Sequence, residues 1–328
     1  MKQNVLNALL GGALLLSAPL FTSCEDILGT WERPSGGSSS GGSSAGGGIE
    51  YVAYTVSGGT ATAATQTATT YTEVTSSTTT WAAGTYVVSS DVTIDGDVTI
   101  SGDVELILCD GKTLTVNGHI QDDDISHNTY SLTIYGQNES SGILYANTSA
   151  VDDMPIFTKD VNIHGGDIRT NATNATFASS LEAGTSVNIY GGTVTATATA
   201  GTAIMTPTIT VFNATVNATS ANAYGIQTTG DIKIYSGTIT AQGAGTYGAG
   251  INAGSGGTGK KTIIYGGSIK AINTDAANCI AGTVQNGSDA TITYQTSTDG
   301  AEWGTAQNLA AAATVDGITA KYVRFPAE

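Results

Sequence analysis

Apolar and polar residues alternate in short runs along most of this chain, and the runs end at glycine turns. In VNIYGGTVTA, residues 187–196, Val187 and Ile189 share one face, because successive side chains of a strand point to opposite sides. Gly191-Gly192 then turns the chain, since glycine accepts a positive φ without steric cost. A second strand follows, with Val194 on the buried side. The pattern therefore predicts two strands per unit, joined by a glycine corner.

This unit recurs with variation along the chain. The residue before each turn is aromatic or imidazole, and the intervals are 29, 26, 22, 23 and 30 residues along the series Tyr135, His164, Tyr190, Phe212, Tyr235 and Tyr265. Recurrence every 20 to 50 residues, roughly, is typical of a solenoid. One coil cannot bury its own apolar face, so stacking of the coils must provide the stability. The many β-branched residues and glycines argue against a helical repeat.

A third apolar position follows each pair of strands, which predicts three inward residues per turn and a roughly triangular coil. The expected core columns are Ile163, Ile189, Val211, Ile234 and Ile264; Ile168, Val194, Val216, Ile239 and Ile269; and Leu181, Ile204, Ile226, Ile251 and Ile280. The fold class expected is all-β, a single-stranded parallel β-helix, taken as right-handed because that hand is more common. Short β caps should cover both ends, since open strand edges promote aggregation.

Composition divides the chain into five segments. We expect a signal peptide over 1–23, a Gly/Ser-rich tether over 24–48, an N-terminal lead-in or cap over 49–80, the parallel β-helix over 81–285 and a C-terminal β cap over 286–328. The tether has few side chains from which to build a core and should behave as a flexible chain. The Thr- and Ala-rich lead-in should either cap the first coil or stay partly disordered.

The N-terminal segment carries a targeting pattern. An apolar run from Val5 to Leu20 follows Lys2 and is soon followed by Ser23-Cys24, and it is shorter than the ~20 residues of a membrane span. This resembles a bacterial lipoprotein signal, in which the Cys becomes the lipid-modified first residue. Glu25-Asp26 resembles the surface-export signal of Bacteroidota lipoproteins. The resemblance implies an outer-membrane lipoprotein that faces the cell exterior; a periplasm-facing anchor and a plain secretion signal are the alternatives.

The charge balance excludes several classes of partner. Removal of residues 1–23 would take one Lys from the 11 Lys and Arg and none of the 27 Asp and Glu, changing the formal charge from −16 to −17. Such a chain is not expected to bind nucleic acid or anionic lipid electrostatically. With 43 Gly and only 12% charged residues, it fits a secreted β-solenoid better than a cytosolic enzyme. We expect a monomer that touches the membrane only through the lipid on Cys24.

Several motifs between Trp81 and Ile280 point to a known group of proteins. WAAGTYVV, DVTISGDVELIL, DGKTLTV and SLTIYGQ come first, followed by IYGGTVTATA and YGAGINAGSGG. They resemble the β-helical surface proteins of gut Bacteroidota and Firmicutes. Some of those are similar to a clostridial β-helix that binds acidic polysaccharide and calcium, so the resemblance implies carbohydrate binding. That relative carries Asp-Asp-Gly-Ile turns, whereas the matching turns here, such as Tyr224-Gly225-Ile226, lack the acidic pair.

A candidate binding surface follows from the strand register. The register that sends Ile189 into the core sends Tyr190 outward, so the residues before the glycine turns should form an exposed column, about 4.8 Å apart. A polar column beginning at Arg169 and ending at Lys270 should run beside it. Because aromatic faces stack on sugar rings, the predicted carbohydrate-binding residues are Tyr135, His164, Tyr190, Phe212, Tyr235, Tyr265, Arg169 and Lys270. The alternative is that each ring covers its backbone corner and stacks on its neighbours.

Other chemistry has weaker support. Polysaccharide lyases and glycoside hydrolases often use this fold, and His164, Asp167 and Arg169 bring imidazole, acid and base together, but their spacing matches no catalytic motif, so no catalytic residue is predicted. Asp122-Asp123-Asp124 could bind Ca²⁺, although consecutive Asp is usually a solvated turn, and we predict no cofactor or metal site. An adhesin or structural spacer without a small-ligand site remains an alternative function. Ice binding through the threonines from Thr193 to Thr199 is a further one.

Replacement of the predicted lipidated cysteine tests the anchor. Cys24→Ser should yield a protein that no longer partitions into the detergent phase, because the thiol that accepts the lipid is gone. Ser38→Ala, in the tether, is the matched control and should partition like the parent. Unchanged detergent partitioning of Cys24→Ser would contradict a lipid anchor at this residue.

Overall fold

The structure, a computed structural model, describes residues 48–123, 129–151, 153–173, 178–246, 248–254 and 259–326. The predicted signal peptide and tether up to residue 47, with Cys24, lie outside these ranges, as do Asp124 and Asp152. The described residues form thirty strands. Helices are absent from these ranges, so they contain no helical membrane span.

The strands are numbered in chain order. They are β1 (Ile49–Ser57), β2 (Thr60–Ala68), β3 (Thr72–Glu73), β4 (Thr80–Trp81), β5 (Gly84–Val88), β6 (Val92–Ile94), β7 (Val98–Ile100), β8 (Val104–Leu108), β9 (Thr113–Asn117), β10 (Ile120–Asp122), β11 (Leu132–Gly136), β12 (Ile143–Thr148), β13 (Ile156–Ile163), β14 (Asp167–Ala172), β15 (Leu181–Ile189), β16 (Thr193–Ala198), β17 (Ile204–Thr206), β18 (Thr208–Val211), β19 (Thr215–Ser220), β20 (Ile226–Thr228), β21 (Ile232–Ile234), β22 (Thr238–Gly243), β23 (Ile251–Ala253), β24 (Lys261–Ile264), β25 (Ser268–Asn273), β26 (Ile280–Asn286), β27 (Ile292–Ser297), β28 (Gln307–Leu309), β29 (Thr314–Ile318) and β30 (Tyr322–Phe325).

Three strand segments make each turn of a parallel solenoid, and we name the faces by their order along the chain. The first face contains β4, β7, β10, β17, β20, β23 and the first parts of β13, β15 and β26. The second face contains β3, β5, β8, β11, β18, β21, β24 and the remaining parts of β13, β15 and β26. The third face contains β6, β9, β12, β14, β16, β19, β22 and β25, one strand for each of eight turns.

The three predicted core columns are confirmed by the strand register. Ile189 pairs with Val211 on the second face, and Val194 pairs with Val216 on the third. The first-face column runs in the same way through Ile204. All fifteen predicted core residues have at most 1% of their surface exposed. The fold is therefore a parallel β-helix, as predicted.

The glycine corners between the second and third faces need glycine for two reasons. Gly192 has φ of 79°, a backbone conformation that side chains with a Cβ rarely adopt. A Cβ at this residue would also collide with the carbonyl oxygen of Gly166 in the turn before it. Tight stacking of the turns and the sharp corner therefore both favour glycine here.

The two ends of the solenoid are built differently. At the C-terminal end, β29 and β30 pair antiparallel with β26 and β25, and β27 and β28 extend the sheet from β30. At the N-terminal end, β3 pairs in parallel with β5 inside the segment expected to be a lead-in, and β4, at the end of that segment, pairs in parallel with β7. Trp81 is fully buried there, stacks on Tyr86 with ring centroids 5.4 Å apart, and donates its indole N–H to the carbonyl oxygen of Thr78.

The lead-in also contains an antiparallel hairpin, β1–β2, paired from Ile49↔Ala68 to Ser57↔Thr60. Its base packs against Val87 and Ile107 of the second face. Gly59, in its turn, approaches the ring of Tyr235, several coils further along. The hairpin therefore lies along the solenoid and crosses the coils, which explains why, in the described part of the chain, its strands pair only with each other.

A charge placed in a core column should destabilise the neighbouring turns. Ile234 is 1% exposed, and Ile234→Asp would bury an unpaired carboxylate at a cost of several kcal/mol, comparable with the whole stability of an ordinary domain. A large fall in the melting temperature is expected. Thr210→Asp, on the outward side of the adjacent strand β18, is the control and should melt close to the parent. A parent-like melting temperature for Ile234→Asp would show that the register is wrong by one residue.

Candidate functional site

The six residues predicted before the glycine turns form one continuous aromatic stack on the outer side of the second face. From Tyr135 to Tyr265, successive ring centroids are 4.8, 4.6, 5.6, 4.7 and 4.3 Å apart, with interplanar angles between 4° and 30°. Nearly parallel rings at this spacing lie face over face with an offset, because rings side by side in one plane would be further apart. Each ring therefore turns its faces toward the turns before and after it, and its edge outward.

The hairpin covers much of this stack. The ring centroids of Tyr51 and Tyr135 are 4.6 Å apart, and those of Tyr54 and His164 are 6.3 Å apart. The backbone N–H of Tyr54 donates a hydrogen bond to Nδ1 of His164 at 2.8 Å. Two residues after Tyr135, Nε2 of Gln137 donates a hydrogen bond to the carbonyl oxygen of Glu50 in β1 at 2.9 Å. β1 thus lies against the stack through both rings and backbone.

The expectation that the column is exposed is wrong in its centre. Phe212 has 3% of its surface exposed, and the other five residues are half-buried. Mutual stacking covers the ring faces, and the hairpin adds cover over the first part of the column. The sequence held a signal for this hairpin, because Gly58-Gly59 separates two runs of residues with strand propensity. Nothing in those runs indicated which surface the hairpin would cover.

Burial sets the protonation states of the stack. Desolvation lowers the pKa of His164 to about 4, so the imidazole is neutral at pH 7. Its Nδ1 accepts the hydrogen bond from Tyr54, which places the ring proton on Nε2. Burial raises the pKa of Tyr135, and the nearby Glu105 carboxylate raises it further. Burial also raises the pKa of Tyr190, so the hydroxyls of Tyr135 and Tyr190 remain protonated at pH 7.

The predicted polar column lies on the third face, beyond the glycine corner. Cα pairing joins Arg169, Thr195, Asn217, Thr240 and Lys270 in that order, which confirms their register. Nη2 of Arg169 lies 2.5 Å from Oδ2 of Asp167 in an exposed ion pair, and this contact raises the pKa of the guanidinium. Lys270 is exposed. The two predicted cations therefore lie on a different face from the aromatic stack.

The other candidate groups have structural partners. His164 contacts the hairpin, whereas Asp167 and Arg169 contact each other. Asp122, one of the three consecutive aspartates considered for calcium, is buried, and its Oδ2 accepts the backbone N–H groups of Thr129 and Tyr130 at 2.8 and 2.7 Å. This carboxylate therefore holds the backbone shortly before β11 begins.

One set of metal-ligating groups was not identified from the sequence. Nδ1 of His119 lies 2.8 Å from Oδ1 of Asp153 and 3.4 Å from Oδ1 of Asp97. Burial would lower the pKa of His119, but the two carboxylates outweigh it and raise the pKa. The pKa of Asp153 is lowered despite its own burial, because the His119 imidazole lies beside it and Thr148 and Gln121 donate hydrogen bonds to it. These groups form an ion-pair network at one corner. Among the residues that the structure describes, they are the His and Asp side chains close enough together to hold a divalent cation.

The sequence offered only a weak signal for this network. Asp97 and His119 each directly precede a paired first-face residue, Val98 and Ile120, so they occupy equivalent corners of successive turns. Asp153 follows less regularly, because it lies three residues before Ile156, where the next first-face segment begins. Because the spacing depends on loop length, the convergence became visible only in three dimensions.

A concave groove of about 310 Å³ lies where the first face bends into the second. Outward residues of four successive turns line it, namely Phe157, Glu182, Met205 and Gln227. Met205 has 37% of its surface exposed, which is unusual for a large apolar side chain. The register also shifts between Thr158 and Asp160, so a bulge lies beside the groove. This first-face groove combines apolar surface with a carboxylate and an amide.

The chain matches no family model, no curated protein and no solved structure in comparisons with each.

Removal of a central ring should now cost stability. Phe212→Ala deletes a buried ring between two stacked neighbours, and such deletions cost about 3 to 5 kcal/mol. Tyr265→Ala is the matched control, because Tyr265 lies at the end of the stack and stacks on Tyr235. It should lower the free energy of unfolding clearly less. Chemical denaturation of both variants measures the difference. Equal, small losses would contradict a packed stack.

Proposed function

We propose that the protein is a non-catalytic cell-surface lipoprotein that binds polysaccharide along the β-helix, in the first-face groove. The groove is the observation that carries the proposal. Concave, mainly apolar sites with a few convergent polar groups are the usual form of ligand sites. Here the row of Phe157, Glu182, Met205 and Gln227 repeats from turn to turn along the solenoid axis.

The chemistry of the lining fits a carbohydrate chain. The Phe157 ring and the Met205 thioether offer apolar surface for the C–H faces of sugar rings. The Glu182 carboxylate and Gln227 amide offer hydrogen-bonding groups for hydroxyls. Oε1 of Gln227 accepts the Thr202 hydroxyl at 3.2 Å, which helps to orient the amide. Outward residues on consecutive turns lie about 4.8 Å apart, so a polymer running along the axis would meet one residue per turn.

The charge of the molecule favours an uncharged glycan. The chain carries a formal charge of −16, and the groove itself contains the Glu182 carboxylate. A polyanionic chain would be repelled on approach and again in the groove. We therefore propose a neutral polysaccharide, in contrast to the acidic one bound by the clostridial β-helix of the resemblance.

The aromatic stack supports this role less directly. Within it, ring faces are covered by neighbouring rings, so a sugar would meet only ring edges and hydroxyl groups. The proposed anchor rests on Cys24 and the tether, which would hold the solenoid away from a membrane. A polymer-binding module in that position would retain polysaccharide at the cell surface.

A glycan-array screen followed by variants of Met205 and Met154 tests the proposal. The background for all variants is the full chain with Cys24→Ser. In it, Met205→Ala should weaken binding of the neutral glycan found by the array roughly 5- to 10-fold, the scale of one apolar contact of ~1 kcal/mol. Its melting temperature should change little, because Met205 is partly exposed. Met154→Ala, outside the groove, is the matched control and should bind like the parent.

Two results would overturn the proposal. One is the absence of any neutral glycan among the array hits, which would favour the adhesin or spacer alternative. The other is unchanged glycan affinity in Met205→Ala and Phe157→Ala, which would place binding on another surface.

A further inference from the structure

We propose that the β1–β2 hairpin is a displaceable strap, latched onto the aromatic stack by His164 and released in acid while the solenoid stays folded. This is a conformational property of the molecule, and it does not depend on the first-face groove or on glycan binding. It concerns a surface that the folded chain keeps covered and would expose on release.

The hairpin is attached in a way that permits release. Its two strands pair only with each other in the described part of the chain, so detachment breaks no shared sheet. Nearly every residue of β2 is exposed, which leaves residues 51–54 of β1, the hairpin base and the turn as its contact with the solenoid. Segments with few buried contacts and many exposed backbone groups are the ones that open locally while the rest of a protein stays folded. By contrast, each central coil is paired on both sides along three faces.

The two ends of the hairpin differ in how firmly they are held. Ile49 and Ala68 at the base are buried in an apolar cluster with Val87 and Ile107. The distal half, from Thr55 through Gly58, is exposed, and only Gly59 in the turn approaches the stack again, at Tyr235. The base can therefore act as a hinge, with the distal half lifting from the rings.

His164 is the latch between these ends. Nδ1 of its imidazole accepts the backbone N–H of Tyr54 at 2.8 Å, and only an unprotonated nitrogen can accept. Protonation of Nδ1 would make its N–H face the N–H of Tyr54, so the hydrogen bond would be lost. It would also place a positive charge within the ring stack. The closed hairpin is therefore compatible with neutral imidazole only.

No carboxylate compensates for that charge among the described contacts of His164. The rings that face it are Tyr54 from β1, Tyr135 from the turn before and Tyr190 from the turn after. The nearby carboxylate of Glu105 interacts with Tyr51 and Tyr135 instead. Burial alone lowers the pKa of His164, to about 4.

The sign of the pH dependence follows from this shift. An exposed histidine has a pKa of about 6.5, so the open state takes up a proton before the closed state does. The closed state is therefore fully favoured above pH ~6.5 and loses its advantage as the pH falls toward 4. The open-to-closed ratio should rise by up to about 300-fold across this window, and by less if part of the burial persists after opening.

Hydrogen exchange of the full chain between pH 7 and pH 4, corrected for intrinsic rates, tests the strap. Amides of residues 51–66, between the hinge residues, should lose protection with falling pH, while those of 187–196 in the solenoid keep theirs. A dye that fluoresces on exposed apolar surface should bind over the same pH range. His164→Phe keeps a ring in the stack but cannot titrate, so its hairpin protection should not change with pH. His119→Gln removes another histidine and should behave like the parent.

Three outcomes would overturn the inference. Hairpin amides could stay protected down to pH 4. Solenoid amides could lose protection together with them, which would indicate general unfolding. The pH-dependent loss could also persist in His164→Phe, which would place the responsible proton elsewhere.

Discussion

Stacking of coils is the interaction on which the rest of this molecule depends. A single turn has inward apolar residues on all three faces and no means of burying them, whereas eight turns bury each column between neighbours. The strand register needed for this also fixes which outward side chains are neighbours on successive turns. Once Ile189 lies over Val211, the next residue of each strand is aligned too, and Tyr190 stacks on Phe212. Columns on the outside are therefore consequences of the columns inside.

The same constraint explains why the outer columns differ in character. On the second face, rings about one strand spacing apart can only pack face over face, and the resulting stack turns its ring edges and hydroxyl groups outward. The chain covers it with its own hairpin, which avoids a large exposed aromatic patch. On the first face, the mixture of Phe157, Glu182, Met205 and Gln227 cannot stack in this way, and a groove remains.

A solenoid is extended by adding turns, so its specific chemistry sits on outward columns, corners and additions at its ends. The ion-pair network of Asp97, His119 and Asp153 is a corner feature, and the hairpin is an addition at the N-terminal end. Both join residues that are distant along the chain but near along the axis. Such contacts add to the coil stacking without altering it, and they leave the core columns unchanged.

The periodic sequence determined the fold class, the core columns and the alignment of the six ring residues, because strand alternation and glycine corners are local properties that stacking then repeats. The cover over the rings, the groove around Met205 and the convergence on His119 were decided only by the tertiary structure. Each of these depends on loop lengths and on where an end segment folds back. No local pattern encodes such distances, since residues such as Tyr54 and His164 meet across 110 positions of chain.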